Sequence, residues 1–261
     1  MNKFSLYVSL IVLVFISSCK ENNDSKQEKD SLSYSPSAQE IEYQNYLSSV
    51  DNDTSLIRGN SLYYSKEDGS TMEVFINLNE EKQTVKIEEL YSNAGSSSMC
   101  SNTFYFNKGL KYISRELFER GDELSGYFVE RISYYDEKEN PIKTIERKAD
   151  FEDQLYREEF KVVENYNCSS KRALMALNQE GEFSTTFQGF IKEEPYLYLI
   201  VGDNEDNGYT SALVVQYEDQ TIKKLQMYEA EMIGKGIQVE FETLSGTQGY
   251  DYQILLSTRL R

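Results

Sequence analysis

The sequence contains no histidine among its 261 residues. Histidine is the usual general base near neutral pH and the commonest side chain that binds metal ions. Its absence therefore excludes Ser-His-Asp and Cys-His catalysis and every histidine-based zinc or iron site. Tryptophan is also absent, which weakens a platform for stacking against sugars, although 21 tyrosines are present to replace it in part.

Motifs for nucleophiles and for phosphate loops are missing too. The sequence has no Gly-x-Ser-x-Gly, its only Ser-x-x-Lys runs from Ser17 to Lys20, and Gly234-Lys235-Gly236 is too short for a phosphate loop. These absences predict a protein without catalytic activity and without a cofactor. The alternative is a glycan-active enzyme of the cell envelope that depends on carboxylates. Adjacent acids such as Glu88–Glu89 would suit it, but such pairs arise by chance among 44 acidic residues.

Acidic side chains outnumber basic ones by 44 to 27, which gives a net charge of −17. A chain with this charge repels the phosphate backbone of nucleic acids, so we expect no nucleic-acid partner. It also repels anionic lipids. Affinity for a membrane must therefore come from an attached lipid rather than from the side chains.

The first nineteen residues contain the parts of an export signal in the usual order. Lys3 precedes a mostly apolar run at Leu6–Ile16, which is too short to span a bilayer as a stable anchor. Ile16-Ser17-Ser18-Cys19 follows and resembles the lipobox of bacterial lipoproteins, in which the cysteine accepts the lipid. The resemblance implies a signal peptide at residues 1–18, acylation of Cys19 with chains such as palmitate, and attachment to a membrane. A plain secretory signal with a chance cysteine is the alternative.

The residues after Cys19 bear on the membrane that receives the protein. Lys20 follows the cysteine where the inner-membrane retention rule of enterobacteria needs aspartate. A lysine followed by acids, here Glu21 and Asp24, resembles the surface-export signal of Bacteroidetes lipoproteins. The resemblance implies an outer-membrane lipoprotein that faces the cell surface. A solvated spacer would have the same composition, so a periplasmic orientation stays open.

Two cysteines remain after lipidation, Cys100 and Cys168. Their neighbours are polar, so both are expected at surface junctions between elements. An exported compartment permits a disulfide between them, and two free thiols are the alternative. They are not spaced as Cys-x-x-Cys, which argues against a redox site.

The pattern of apolar residues predicts a mainly β fold. Residues 20–36 are too polar to order themselves, and Pro36–Val50 has the spacing of a short helix. From residue 56 onward, period-two alternation and regularly spaced turn signals predict an antiparallel meander. The expected segments are a signal peptide at 1–18, a lipidated tether with a short helix at 19–55, a β-meander domain at 56–148, a helical connector at 149–181 and a small domain at 182–261.

The last segment, 182–261, is expected to form a compact β-barrel that is OB-like in size. Its strand Tyr196–Val201 is apolar at every position. Such a strand is covered on both faces or lies in a small closed sheet. A barrel of five or six strands fits both the length and the apolar run.

The best cluster of candidate metal ligands is Asp203-Asn204-Glu205-Asp206-Asn207-Gly208. Asp203, Glu205 and Asn207 fall on ligand positions of a calcium loop, but its last ligand position is Val214 where a bidentate glutamate is needed. An Asp-Asn-Gly sequence between two apolar strands also suits a hairpin turn. The turn is the favoured interpretation, weak calcium binding is the alternative, and no other metal is expected.

These observations favour a non-catalytic lipoprotein of the cell envelope. It would act as a binding or accessory module whose partner is another envelope protein or a glycan. Packing within the sheet is the favoured role of the tyrosines in the strands. A tyrosine-lined groove for a peptide or a glycan is the alternative.

Overall fold

The computed structural model describes residues 36–95, 99–120, 126–246 and 251–261. They belong to one compact unit, Tyr34–Arg261. The expected signal peptide, the lipidation site Cys19 and most of the expected tether lie outside the described residues. The segments expected as separate domains, 56–148 and 182–261, both contribute strands to a single sheet.

In the described part of the chain, fourteen strands join this sheet, and they are named in chain order. Their bounds are β1 Ile57–Asn60, β2 Tyr64–Ser65, β3 Thr71–Leu78, β4 Thr84–Ser92, β5 Cys100–Asn107, β6 Leu110–Arg120, β7 Tyr127–Tyr135, β8 Pro141–Ala149, β9 Lys161–Val163, β10 Thr186–Glu193, β11 Tyr196–Gly202, β12 Thr210–Val214, β13 Ile237–Ser245 and β14 Asp251–Leu260. Strands account for 48% of the structure and helices for 20%, so the prediction of a mainly β fold is confirmed.

Strands β3 to β9 lie side by side in chain order and are antiparallel. The predicted meander is therefore confirmed. Period-two alternation explains it, because Val74 and Ile87 are fully buried while Phe75 and Lys86 beside them are partly exposed. The turn between β5 and β6 uses Lys108-Gly109, both with positive φ, as a two-residue hairpin requires.

The C-terminal strands extend this sheet. Strand β12 pairs with β2 at Thr210 and Ser65 and, in parallel, with β14 at Val214 and Ile254. Over the residues that the structure describes, the sheet is not closed, so they do not form the barrel expected at 182–261.

The apolar run in β11 explains this difference. Leu199 and Val201 are fully buried against the core, whereas Tyr196 is 54% exposed. The strand therefore covers the core with one face, and its outer face is open. A continuous apolar run does not distinguish this arrangement from a strand inside a closed sheet.

Short helices pack beside the sheet. They are α1 Ala38–Asp51, α2 Lys171–Asn178, α3 Gln220–Met227 and α4 Glu229–Met232, with 3₁₀ turns at Glu152–Arg157 and Gly181–Phe183. Helix α1 confirms the helix predicted at Pro36–Val50, and α2 lies within the expected helical connector 149–181. The earlier part of that connector is a 3₁₀ turn followed by β9 and not an α-helix. Among these described helices, none combines the length and the apolar character that a membrane crossing requires.

The core occupies both faces of the sheet, because successive residues of a strand point to opposite sides. Phe104 belongs to a large cluster that includes residues of α2 and α3. The next residue, Tyr105, belongs to a second cluster that includes Tyr43 and Val50 of α1. Helix α1 is thus held against the meander, and this packing forms one wall of the site described below.

Candidate functional site

A cleft of about 580 Å³ opens where the start of α1 meets the tips of two hairpins. The hairpins are β5–β6 and β7–β8, whose turns lie at the same end of the meander. We name it the tyrosine cleft and define it by six of its lining residues: Glu42, Tyr43, Leu110, Tyr112, Glu137 and Ile142.

Tyrosine rings from α1 and from the sheet pack together at this cleft. The ring centroid of Tyr43 lies 4.3 Å from that of Tyr112 and 4.9 Å from that of Tyr134. The Tyr43 hydroxyl donates a hydrogen bond of 2.8 Å to the carbonyl oxygen of Tyr135. These contacts fix α1 on the meander and hold Tyr112, which is partly exposed, in the wall of the cleft.

Hydrogen bonds tie the two hairpin tips together. The Lys111 amide donates to Glu139 Oε1 at 2.7 Å, which links β6 to the turn before β8. Within that turn, Asp136 accepts hydrogen bonds from the amides of Asn140 at 2.9 Å and Lys138 at 2.8 Å. The bond from the Asn140 amide contributes most to lowering the pKa of Asp136. The turn therefore carries a fixed negative charge in the lining of the cleft.

Lys111 also lines the cleft, but its ammonium group binds other groups of the protein. Its Nζ donates to Asn167 Oδ1 at 2.8 Å and to the carbonyl oxygen of Cys168 at 2.7 Å. It lies 4.1 Å from the centroid of the Tyr135 ring, and burial lowers the pKa of Lys111. Lys111 therefore pins the segment before α2 to the sheet and leaves little positive charge for a ligand.

Negative charge dominates the accessible part of the cleft. Its lining contains the carboxylates of Glu42, Asp136 and Glu137, with Lys108 as the cation at the β5–β6 turn. Burial raises the pKa of Tyr112, and the charge of Glu42 raises it further. The electrostatic effect of Glu42 thus reaches the aromatic wall.

Exposed apolar side chains accompany these charges. Leu110 and Ile142 belong to the same lining and are 43% and 42% exposed. Concave sites with apolar walls and a few polar groups are where proteins usually bind ligands. The tyrosine cleft is therefore the leading candidate site among the described residues.

A second cleft, of about 560 Å³, lies at the β8–β9 edge and is lined mainly by charged residues. Three of its charged side chains pair within the sheet. Arg147 Nε donates to Glu130 Oε2 at 2.5 Å, and Lys148 Nζ lies 2.9 Å from Glu146 Oε1. Because these charges are already compensated and the apolar part of the lining is Val163, the second cleft is a weaker candidate than the tyrosine cleft.

The two remaining cysteines are not where the sequence suggested. Cys100 and Cys168 are free thiols that are 4% and 5% exposed. The disulfide considered between them is not formed, and neither lies at a surface junction. Cys100 begins β5 opposite Tyr91, and Cys168 lies in the segment that Lys111 holds against the sheet.

The Cys168 thiol faces the carboxyl group of Glu116. Burial raises the pKa of both groups, the Glu116 charge adds to this effect at Cys168, and Arg131 opposes it at Glu116. Arg131 Nη1 stands 3.7 Å from Glu116 Oε2, beyond hydrogen-bond distance. Glu116 is therefore a buried carboxyl with incomplete compensation.

Replacing Glu116 with glutamine should stabilise the fold more at about pH 7 than at about pH 4. Because the folded-state pKa of Glu116 is raised above its ordinary value of 4.5, its favourable contribution is complete below that value. The contribution is lost as the pH rises through the folded-state pKa. Glutamine has no charge to bury at either pH. Urea unfolding at the two pH values measures the difference, and an equal effect at both would contradict the raised pKa.

The calcium candidate is a hairpin loop between β11 and β12. Asn207, with φ of 56°, donates through Nδ2 to Asp68 Oδ2 at 3.0 Å, and the Gly208 amide donates to the carbonyl oxygen of Glu205 at 2.9 Å. The bond from Asn207 contributes most to lowering the pKa of Asp68 to about 2. Within the described ranges, no group of three or more Cys, Asp or Glu side chains could hold a metal ion. The turn interpretation accounts for Asp203, Glu205 and Asn207.

The described glutamates whose pKa values are raised lie outside both clefts. Glu73 and Glu116 have raised pKa values, chiefly through burial, but neither lines a cleft described above. Glu89, one of the two adjacent acids considered for glycan chemistry, is 2% exposed. It accepts hydrogen bonds from Arg172 Nη1 at 2.6 Å and from Asn102 Nδ2 at 3.3 Å. Its role is to hold α2 on the sheet.

Comparison of the chain with protein-family models, with curated proteins and with solved structures found no match. The functional assignment therefore depends on the residues themselves. Sequence reasoning did not locate Glu42, Leu110, Tyr112 or Ile142 as a site. A signal was present, because alternate turns of a meander lie at the same end of the sheet.

Proposed function

We propose that this chain is a non-catalytic, lipid-anchored protein of the cell envelope that binds another envelope protein through the tyrosine cleft. The cleft is the observation that carries the proposal. It combines exposed aliphatic side chains, a partly exposed tyrosine and accessible carboxylates in one concavity. The proposed anchor is Cys19 in the lipobox-like Ile16-Ser17-Ser18-Cys19.

A protein partner fits the cleft better than a glycan. Glycan sites need accessible aromatic faces, but of the three tyrosines in the lining Tyr43 is 2% exposed and Tyr135 is fully buried, so Tyr112 alone presents part of its ring. The accessible apolar groups are instead the aliphatic Leu110 and Ile142, which match apolar side chains of a protein. This supports the accessory-subunit role over glycan capture.

The position of the cleft suits a membrane-anchored protein. Gln39 and Glu42 line the cleft and lie close in sequence to the anchor. From Cys19 to Pro36 the chain spans about 60 Å at most, even when fully extended. The segment of the proposed partner that binds the cleft therefore lies no farther than about that distance from the bilayer.

Photo-crosslinking in intact cells tests this proposal. The benzophenone amino acid p-benzoylphenylalanine should give a discrete protein adduct when it replaces Ile142, because this side chain lines the cleft. Leu174 on α2 is the matched control, since it is an aliphatic residue that is 41% exposed against 42% for Ile142. Adduct formation should fall when Glu42→Lys is added to the Ile142 variant.

Two outcomes would overturn the binding function. One is an absence of adduct at Ile142 in protein that is folded and exported. The other is the same adducts at Ile142 and Leu174, which would indicate random collision. An adduct that mass spectrometry identifies as glycan would replace the protein partner with a saccharide.

A further inference from the structure

We infer that the segment bound by the tyrosine cleft is a short peptide with an apolar side chain next to lysine or arginine. This inference rests on the proposed binding function and names the chemistry of its ligand. It follows from the charges of the cleft and from its accessible apolar surface.

The charge of the cleft favours a cationic ligand. Glu42, Asp136 and Glu137 contribute carboxylates to the lining. Of the two lysines there, Lys111 is 7% exposed and donates to Asn167 and Cys168. Lys108 is therefore the only accessible ammonium among the described lining residues, against three carboxylates in the same lining. A cation in the cleft offsets the repulsion among these carboxylates, whereas an anion adds to that repulsion.

The charges of the lining also act on the tyrosines of the cleft. Burial contributes most to raising the pKa of Tyr43, Tyr112 raises it next, and the charges of Glu42 and Asp136 make smaller contributions in the same direction. Glu42 acts in the same direction on Tyr112. Asp136 keeps its charge at neutral pH, because hydrogen bonds within its turn lower its pKa. A lysine or arginine beside Tyr112 would also gain from the electron-rich face of the ring.

The apolar part of the ligand is set by Leu110 and Ile142. Each leaves more than 40% of its surface in water, and an apolar side chain bound against them would remove part of that surface from solvent. An acidic glycan fails the charge requirement. A neutral glycan has hydroxyls that can donate to the carboxylates, but it carries no cation to offset their charge and gains little from the aliphatic groups. A second copy of this chain is disfavoured because each copy carries a net charge of −17.

Calorimetric titration of the complete acylated protein in detergent tests the ligand class. The probes are acetyl-Ser-Lys-Leu-Lys-Ser-amide, the same peptide with glutamate in place of both lysines, and maltohexaose. The lysine peptide should bind, and the other two should not. Raising the salt from about 50 mM to about 500 mM should weaken binding, because screening shortens the range of the attraction.

Variants identify the groups responsible. Glu42→Gln and Glu137→Gln should each raise the dissociation constant of the lysine peptide about fivefold, the effect expected for one charge at close range in water. Ile142→Ser should also weaken binding. Glu158→Gln is the matched control, because Glu158 is an exposed acid that lines the second cleft and not this one.

The outcomes separate this inference from the proposed function. Binding of the glutamate peptide or of maltohexaose, weakened by Ile142→Ser, would overturn the ligand class and leave the cleft as a binding site. Failure of all three probes would also overturn the ligand class if Ile142 still gives its specific adduct in cells. Failure of the probes together with loss of that adduct would overturn both. Equal effects of Glu42→Gln and Glu158→Gln would show that only the overall charge matters.

Discussion

Replacing Glu130 with glutamine should lower the free energy of unfolding by about 3 kcal/mol. Glu130 is 3% exposed and lies between two guanidinium groups. Its Oε1 accepts from Arg115 Nε at 2.6 Å, and its Oε2 accepts from Arg147 Nε at 2.5 Å. Glutamine keeps the size of the side chain but removes the charge that both arginines need. Arg147, whose side chain is only 12% exposed, would then be a poorly solvated charge without its partner.

Glu116→Gln is the control for this experiment. It is the same change on the neighbouring strand, at a residue that is 7% exposed. Because the pKa of Glu116 is raised by burial, the loss of its charge should leave stability at about pH 7 unchanged or higher. Chemical unfolding followed by circular dichroism measures both variants. A loss below about 1 kcal/mol for Glu130→Gln, or equal losses for the two, would show that the pair of arginines does not stabilise the fold.

The sequence predicts the strands of this protein well because local periodicity produces them. Ile237 and Val239 alternate with exposed residues and are buried in β13. The turns follow from residue type, as at Lys108-Gly109. Helix α1 is likewise predicted by the spacing within Pro36–Val50, and in the structure the Ser37 side chain caps its first turn.

The sequence does not predict how the sheet is joined. Strands β2 and β12 meet at Ser65 and Thr210, which are far apart in the chain. No local pattern encodes such a pairing. The same limit explains the expected barrel, because the alternation in a strand is the same whether its sheet is closed or open.

The buried acids were missed for a related reason. Patterns treat glutamate as solvated, yet Glu130 is buried because Arg115 and Arg147 come from the strands on either side. Their positions depend on strand register, which sequence alone leaves undetermined. The tyrosine cleft has the same origin, since its walls come from one helix and two hairpins. Both kinds of site require the tertiary arrangement as well as the residue types.

Replacing Cys19 with alanine should remove the protein from the outer-membrane fraction. The proposed acyl chains contribute about 0.8 kcal/mol for each buried methylene, so two or three chains give an attachment that does not reverse on the timescale of fractionation. The side chains supply no substitute, because a net charge of −17 is repelled by anionic lipids. An unprocessed signal could still hold the variant at the inner membrane, so density-gradient separation of the two membranes is the required measurement.

Labelling with an alkyne analogue of palmitate makes this experiment specific for the sulfur atom. Wild-type protein should carry the label and begin at residue 19, whereas Cys19→Ala should carry none. Cys100→Ala is the matched control, because Cys100 is a buried free thiol that a lipid chain cannot reach without unfolding the sheet. It should keep both the label and the outer-membrane position.

Recovery of mature wild-type protein that still begins at Met1, or an unlabelled protein that stays in the outer membrane, would remove the anchor from the proposed function. The cleft and its test would then stand alone, because the packing that forms it involves only residues of α1 and the meander.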